Sequence, residues 1–231
     1  MSGRPHAPVD VLPPAIARAV AGTAPYWFVI GGQAVRCFCP YRPSDDVDFG
    51  VRRPRDLQQL LAQLRAKGHV EEIERSKDTV HLTFDGIDVS AFVLPKIAPH
   101  VAEQALTLTG ILATKLHAIL DRGTRRDFFD VYVMLAQHRF GIIECLRAFD
   151  TVYAAHVDEG LLLRALTYFD DAEAEAPLPG EGPKDWTAVK DYFTTRVGAL
   201  LLPPEHALRI QARTVDVTPR PRASTRRRRR S

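Results

Sequence analysis

Cysteine is scarce in this chain: Cys37, Cys39 and Cys145 are the only three among 231 residues. Three cannot build a disulfide framework, and the close pair Cys37/Cys39 has no second pair to complete a zinc site. They read as small core side chains in a reducing cytoplasm. Long apolar runs are also missing. No stretch approaches the roughly 20 apolar residues of a membrane span. The first ten residues, MSGRPHAPVD, lack the apolar centre of a secretory signal. There is no Walker lysine loop, no G-x-S-x-G elbow and no H-E-x-x-H helix. The histidines form no metal spacing. His117 lies two residues from Lys115, and His138 closes a predicted helix, where a positive charge is favourable.

What is present is an ordinary globular composition, 45% hydrophobic, with a net charge of +3 that is unevenly spread. Residues 212–231 hold eight arginines and one acid, Asp216, which gives that tail +7 and leaves the body at −4. Arg226 to Arg230 form an unbroken run. Such a segment attracts nucleic acid or is simply a solvated, disordered terminus.

The patterning predicts an α+β protein: a small mixed β-sheet core with flanking helices, followed by an α-helical bundle. Pro13-Pro14 opens a helix to about Ala21. YWFVI (26–30) reads as a buried strand, Gly31-Gly32 ends it, and a helix runs to about Phe38. Strand 47–51 follows, then helix 54–67 with Gly68 as its cap. Strands are expected at 70–73, 80–84 and 87–93, the last two joined by the hairpin signal Asp85-Gly86. Helices are expected over 109–121, 127–138, 142–155, 159–169 and 184–201, with APLPGEGP (176–183) as a loop. The expected organisation is a core over 1–100, a helical unit over 101–212 that completes the active site, and a basic tail over 213–231.

The chemistry gathers at a few positions. Asp46 and Asp48 are two apart on the second strand, so both leave one face while Val47, Phe49 and Val51 leave the other. Two close carboxylates repel unless a cation lies between them, and magnesium favours carboxylates plus substrate phosphates. Gly31-Gly32, between strand and helix, lets phosphate approach backbone amides, or is a turn that needs glycine. Asp88, on the strand IDVSAFV, faces Asp46 and Asp48 if the strands are neighbours, there to complete metal binding or to take the proton from an attacking hydroxyl; otherwise it is a hairpin residue. Lys115 shares the apolar helix face of Ile111, Leu112 and Ile119, so it either snorkels or meets an anion, a triphosphate or a carboxylate. The helix RRDFFDVYVML is apolar nearly all round, which predicts burial of Asp127 and Asp130. Buried carboxylates need partners, and Lys115, Arg122 and Arg126 are near in sequence; alternatively Asp127 caps the helix.

These residues resemble the AbiEii/AbiGii-type nucleotidyltransferase toxins of bacterial toxin–antitoxin and phage-defence systems, within the DNA polymerase beta-like nucleotidyltransferase superfamily. The resemblance runs over residues 13 to 201. It is carried by GGQAVRCFCPYRPSDDVDFGV with Arg42, Ser44, Asp46 and Asp48 in R-x-S-x-D-x-D order, by LATKLHAILDRGTRRDFFDVYVML, and by LLLRALTYFDDAEAEAPLP followed by DWTAVKDYF. The resemblance implies metal-dependent transfer of a nucleotide from an NTP to a hydroxyl, in some relatives at the tRNA 3′ end. It implies Mg2+ held by Asp46 and Asp48, with Asp88 a less regular third ligand. Phosphate contacts are implied for Gly31, Gly32 and Lys115, nucleotide contacts for Arg42, Ser44, Arg122 and Arg126, and catalytic roles for Asp127 or Asp130. An antitoxin encoded by an adjacent gene is the implied partner. Nucleotidyl modification of a protein, and a nucleotide- or RNA-binding module without catalysis, are the alternatives. One departure stands out: the superfamily has Gly-Ser after the first strand where this chain has Gly31-Gly32, so that phosphate contact falls to the backbone or to Ser44.

Overall fold

A computed structural model of the chain describes residues 6–22, 26–154 and 157–201. The expected basic tail, and residues 202–212 of the expected helical unit, lie outside the described residues. Two short helices come first, α1 (Pro8–Val11) and α2 (Pro14–Val20), each with proline in its first turn. Strand β1 (Trp27–Val29) leads into α3 (Gly31–Phe38), and β2 (Val47–Val51) into α4 (Pro54–Lys67). The antiparallel strands β3 (Val70–Arg75), β4 (Thr79–Phe84) and β5 (Ile87–Val93) follow. Two-residue strands β6 (Val101–Ala102) and β7 (Ala105–Leu106) close the sheet-forming part. Neither is long enough to show an alternation in the sequence.

Among the described residues seven strands form one mixed sheet in the order β3-β4-β5-β2-β1-β7-β6. β2 is central. It runs antiparallel to β1 and parallel to β5, with Val47 opposite Val89 and Asp48 opposite Ser90. The period of two sends Val47, Phe49 and Val51 to a fully buried face, which α4 covers with Leu57, Leu60, Leu61 and Leu64. Each such side chain contributes roughly 1.5–3 kcal/mol of burial. Asp48 points the other way, towards α3.

The rest is helical. α5 (Leu108–Asp121) is capped by the Thr107 hydroxyl, which accepts from the Gly110 amide at 3.2 Å. It packs on α3, on α6 (Arg125–His138) and on α7 (Ile142–Tyr153). Next come α8 (Glu159–Ala165), α9 (Asp170–Ala174) and α10 (Asp185–Leu201). The single helix expected over 159–169 stops at Ala165, where the Thr167 hydroxyl bonds back to the Arg164 carbonyl at 3.1 Å. Phe128 anchors α6 by ring contacts of 5.1 to 5.9 Å with Phe169, Trp186 and Phe193. No helix among the described residues is long and apolar enough to cross a membrane.

The cysteines are free and buried, as small core residues are, and burial pushes the Cys145 thiol up to about 12. His138 differs from the expectation of a charged helix end. Burial among Phe38 and Phe140 lowers its pKa, so the neutral ring is favoured.

Candidate active site

The site forms where the polar face of β2 meets the helices. Asp46 stands one residue before β2 and Asp48 is its second residue. The loop that presents them is held from beneath by Gln33, a buried residue of α3. Its side-chain amide donates to the Ser44 and Asp46 carbonyls at 3.1 Å each. The Ser44 hydroxyl donates to the Asp46 carboxylate at 2.9 Å, and Arg126 reaches its other oxygen at 3.4 Å. Burial raises the Asp46 pKa, but the Ser44 hydrogen bond and the Arg126 charge outweigh it and the net shift is downward. Asp48 goes the other way. Burial, then the neighbouring Asp46 charge, raise its pKa against the opposing fields of Lys115, Arg122 and Arg126.

The two glycines take their meaning from these side chains. Gly31 has φ +57°, and a Cβ there would run into the Asp48 carboxylate. A Cβ on Gly32 would lie 2.6 Å from the Ser44 hydroxyl. The pair therefore lets the acidic loop close over the start of α3. No side chain caps that helix and its first turn holds no acid. Its amides and the positive end of its dipole lie beside Asp48.

The helical side supplies the second acid pair. Lys115 Nζ lies 3.1 Å from Asp127 and 2.7 Å from Asp130, with all three side chains buried. Asp127 also accepts from Arg122 at 2.9 and 3.2 Å and from Thr124 at 2.6 Å. Asp130 accepts from Arg42 at 3.1 Å on each oxygen and from Tyr41 at 2.5 Å. Burial raises the Asp127 pKa, but the Lys115 charge and the bonds from Arg122 and Thr124 override it, leaving about 2. The start of α6 is set by Thr124, whose hydroxyl is turned to Asp127 and makes no cap bond. Asp127 is thus the partner of the buried Lys115 and of the half-exposed Arg122, and helix capping does not account for it. The Arg42–Asp130 pair joins the β2 loop to α6, so the two halves of the site are tied covalently by the chain and electrostatically across it.

The structure brings together Gly31, Gly32, Arg42, Ser44, Asp46, Asp48, Lys115, Arg122, Arg126, Asp127 and Asp130. Asp88 stands apart from them in one respect. By register it neighbours Asp46, but it is exposed beside the β4–β5 turn. Among the described residues no group of three or more histidine, cysteine, aspartate or glutamate side chains converges as a metal cluster. A cavity of about 890 Å3 opens beside Asp46, lined among others by Arg36, Asp88, Arg126 and Leu178.

A family model for "Nucleotidyl transferase AbiEii toxin, Type IV TA system" matches residues 15–201. The chain belongs to the AbiEii nucleotidyltransferase toxin family. It is a nucleotidyltransferase with an α+β fold. An uncharacterized protein of Aquifex aeolicus is 27% identical over 180 residues, 74% of this chain and 86% of that protein. A crystal structure from H. pylori, described as that of a nucleotidyltransferase, has a TM-score of 0.49 and 18% identity over 81% of this chain and 92% of its own.

Several residues of this AbiEii-family site escape sequence reading. Gln33 looks like one polar position on a short helix, yet its amide fixes the acidic loop. Tyr41 and Thr124 adjoin named residues and complete the shells of Asp130 and Asp127. Arg125 is the fourth. It is buried, lies over the Trp186 ring at 4.6 Å and pairs with Glu181 at 2.5 Å. Glu181 also accepts from the Leu178 amide at 2.8 Å, which pins the loop 176–183 against the cavity. The signal for Arg125 was its place beside two further charges at the head of an apolar helix.

Proposed function

We propose that the protein transfers a nucleoside monophosphate from an NTP to a hydroxyl acceptor, with Mg2+ bound by Asp46 and Asp48. The observation that carries this reading is the state of Asp48: a largely buried carboxylate, its pKa raised by burial and by Asp46, set over an uncapped helix start. Two acids held this close favour a cation between them. Magnesium needs few protein carboxylates, because substrate phosphates and water complete its shell. The donor set therefore fits, and the metal when bound would supply charge neutralisation at the phosphates.

The chain's own groups do the rest. The amides of Gly31 and Gly32 and the α3 dipole face the triphosphate. Arg122 and Arg126, each about half exposed, offer it their guanidinium groups. Lys115 has given two hydrogen bonds to Asp127 and Asp130; its charge lies near Asp48 and favours the charge built up on the phosphates. Asp127 and Asp130 hold this cation in place, and Arg42 orients Asp130. Ser44 orients Asp46.

The acceptor is proposed to be the tRNA 3′ end, in the cytoplasm, with an antitoxin from an adjacent gene restraining the enzyme and phage defence as the setting. The +7 tail supports an RNA substrate through its attraction for the backbone. The test is incubation of the full chain with labelled NTPs, total RNA and total protein, with Mg2+ and with EDTA. Label is expected on tRNA 3′ ends and only with Mg2+. Label on protein alone would replace the acceptor, and label that survives EDTA would remove the metal.

A further inference from the structure

Transfer to a hydroxyl requires something to take its proton, and the acids already described are poor candidates. Asp127 and Asp130 are saturated by Lys115, Arg122, Thr124, Arg42 and Tyr41. Asp46 is held ionised by Ser44 and Arg126, and with Asp48 it is assigned to the metal. The sheet itself offers another group. The parallel register of β2 and β5 puts Ser90 directly beside Asp48, on adjacent strands about 4.8 Å apart. The antiparallel register of β5 and β4 puts His81 directly beside Ser90. His81 Nδ1 and Ser90 Oγ are hydrogen-bonded at 2.9 Å. Phe92 meets the imidazole edge-on at 5.8 Å and fixes its tilt. Asp48, Ser90 and His81 thus form a row on one sheet face.

That face is accessible. Thr79, His81 and Thr83 alternate with the buried Val80, Leu82 and Phe84 and are only half-buried, as are Ser90 and Phe92. The principal neighbours of β4 are β3 and β5. An acceptor can therefore reach Ser90 from the open side while the triphosphate lies on the α3 side of Asp48.

We propose that the Ser90–His81 pair receives the proton of the attacking hydroxyl. This rests on the reading of the site as one of nucleotidyl transfer. With the imidazole proton on Nε2, Ser90 donates to Nδ1. As the acceptor oxygen bonds to the α-phosphorus and the bond to pyrophosphate breaks, the acceptor proton passes to Ser90 Oγ. The Ser90 proton passes to Nδ1, and the imidazolium returns it to water. Imidazole is the side chain suited to this at neutral pH. The charged groups facing His81 are Glu74, its partner on β3, Asp88 at the diagonal on β5, and Asp48 one strand beyond Ser90. Lys115, Arg122 and Arg126 act on Asp48 through their charges.

The experiment uses the full chain, Mg2+, a labelled NTP and total tRNA with total protein as acceptors, and follows kcat against pH. His81→Gln and Ser90→Ala should lower kcat on the order of 100-fold. His81→Gln should also abolish the fall in kcat at acid pH, while binding of a fluorescent NTP is unchanged. Ser90→Thr keeps the hydroxyl and should recover much of the kcat that Ser90→Ala loses. The relay is overturned if His81→Gln retains kcat and its acid limb, or if the loss follows Asp88→Asn instead. A wild-type chain that labels neither acceptor would overturn the transfer reading, and the relay with it.

Discussion

Two aspartate pairs share one site and are treated in opposite ways. Asp127 and Asp130, on α6, are 0% exposed, and between them they are bonded to Lys115, Arg122, Thr124, Arg42 and Tyr41. Asp46, beside β2, is 44% exposed, with a serine and one long arginine contact, and Asp48 draws no hydrogen bond from a side chain among those described. The α6 pair is complete without a ligand. The β2 pair is held at a cost that a cation would remove. Satisfaction marks the frame and its lack marks the place for chemistry.

The largest effect should come from taking away the cation of the complete pair. Lys115→Ala leaves two buried carboxylates short of charge, and breaking a buried pair in this way costs roughly 3–5 kcal/mol. A urea titration should show the unfolding free energy falling by that amount, as a lower midpoint with the slope unchanged. The double variant Lys115→Met with Asp127→Asn should cost less than the sum, because the partners act together. Additive losses would mean the network is not a unit.

The incomplete pair should respond in the reverse sense. Asp48 is held with a raised pKa, so its ionised form opposes folding once the pH exceeds that value. Asp48→Asn should raise the unfolding midpoint at neutral pH. It should also lower transfer by more than about 100-fold, beyond what loss of an outer-shell partner of a metal costs. A variant both active and less stable would place Asp48 with the α6 pair and erase the contrast.

How much of this contrast was legible in the sequence depends on the range of the contact. The spacing of Asp46 and Asp48 predicted a shared face, because period two is local. Lys115 among Ile111, Leu112 and Ile119, and two aspartates on a helix apolar all round, predicted buried charges for the same reason. What decides which pair is satisfied is not local. Arg42 and Tyr41 reach Asp130 across 88 and 89 residues, and Arg125 reaches Glu181 across 56. The resemblance implies a nucleotide contact for Arg42, and only the fold places its guanidinium on Asp130. The glycines carried two readings, phosphate approach and tight turn. The closeness of Asp48 to Gly31 adds a third that no single-sequence pattern contains. β6 and β7, two residues each, are too short for any period.

Acid should separate the pairs again. The Asp127 pKa is about 2 against an ordinary 3.8, so the group stabilises the fold fully above 3.8 and loses this as the pH falls towards 2. The shift corresponds to roughly 2 kcal/mol for a buried group. Denaturation midpoints measured down this range should fall for the wild type and less steeply for Asp127→Asn. Asp48 acts at higher pH: as the pH falls through its raised pKa towards 3.8, protonation relieves it and stabilises the fold. Asp48→Asn should therefore lose that gain above 3.8. Parallel slopes in all three proteins would show that neither carboxylate is linked to folding.

The smallest effect concerns the contact between Arg126 and Asp46. It spans 3.4 Å between side chains that are 43% and 44% exposed. Water screens such a pair, and its removal should cost less than about 1 kcal/mol of stability. Arg126→Ala should thus leave the urea midpoint nearly in place. Its cost should fall on the substrate: NTP affinity should drop, and the drop should shrink as salt is raised, since the lost term is electrostatic and screened. Titration of a fluorescent NTP at two salt concentrations separates these outcomes. A large stability loss with unchanged affinity would make Arg126 part of the frame, like Arg42. The expected result puts the boundary between frame and site along the guanidinium groups, with Arg42 spent on Asp130 and Arg126 free to change partner when the triphosphate arrives.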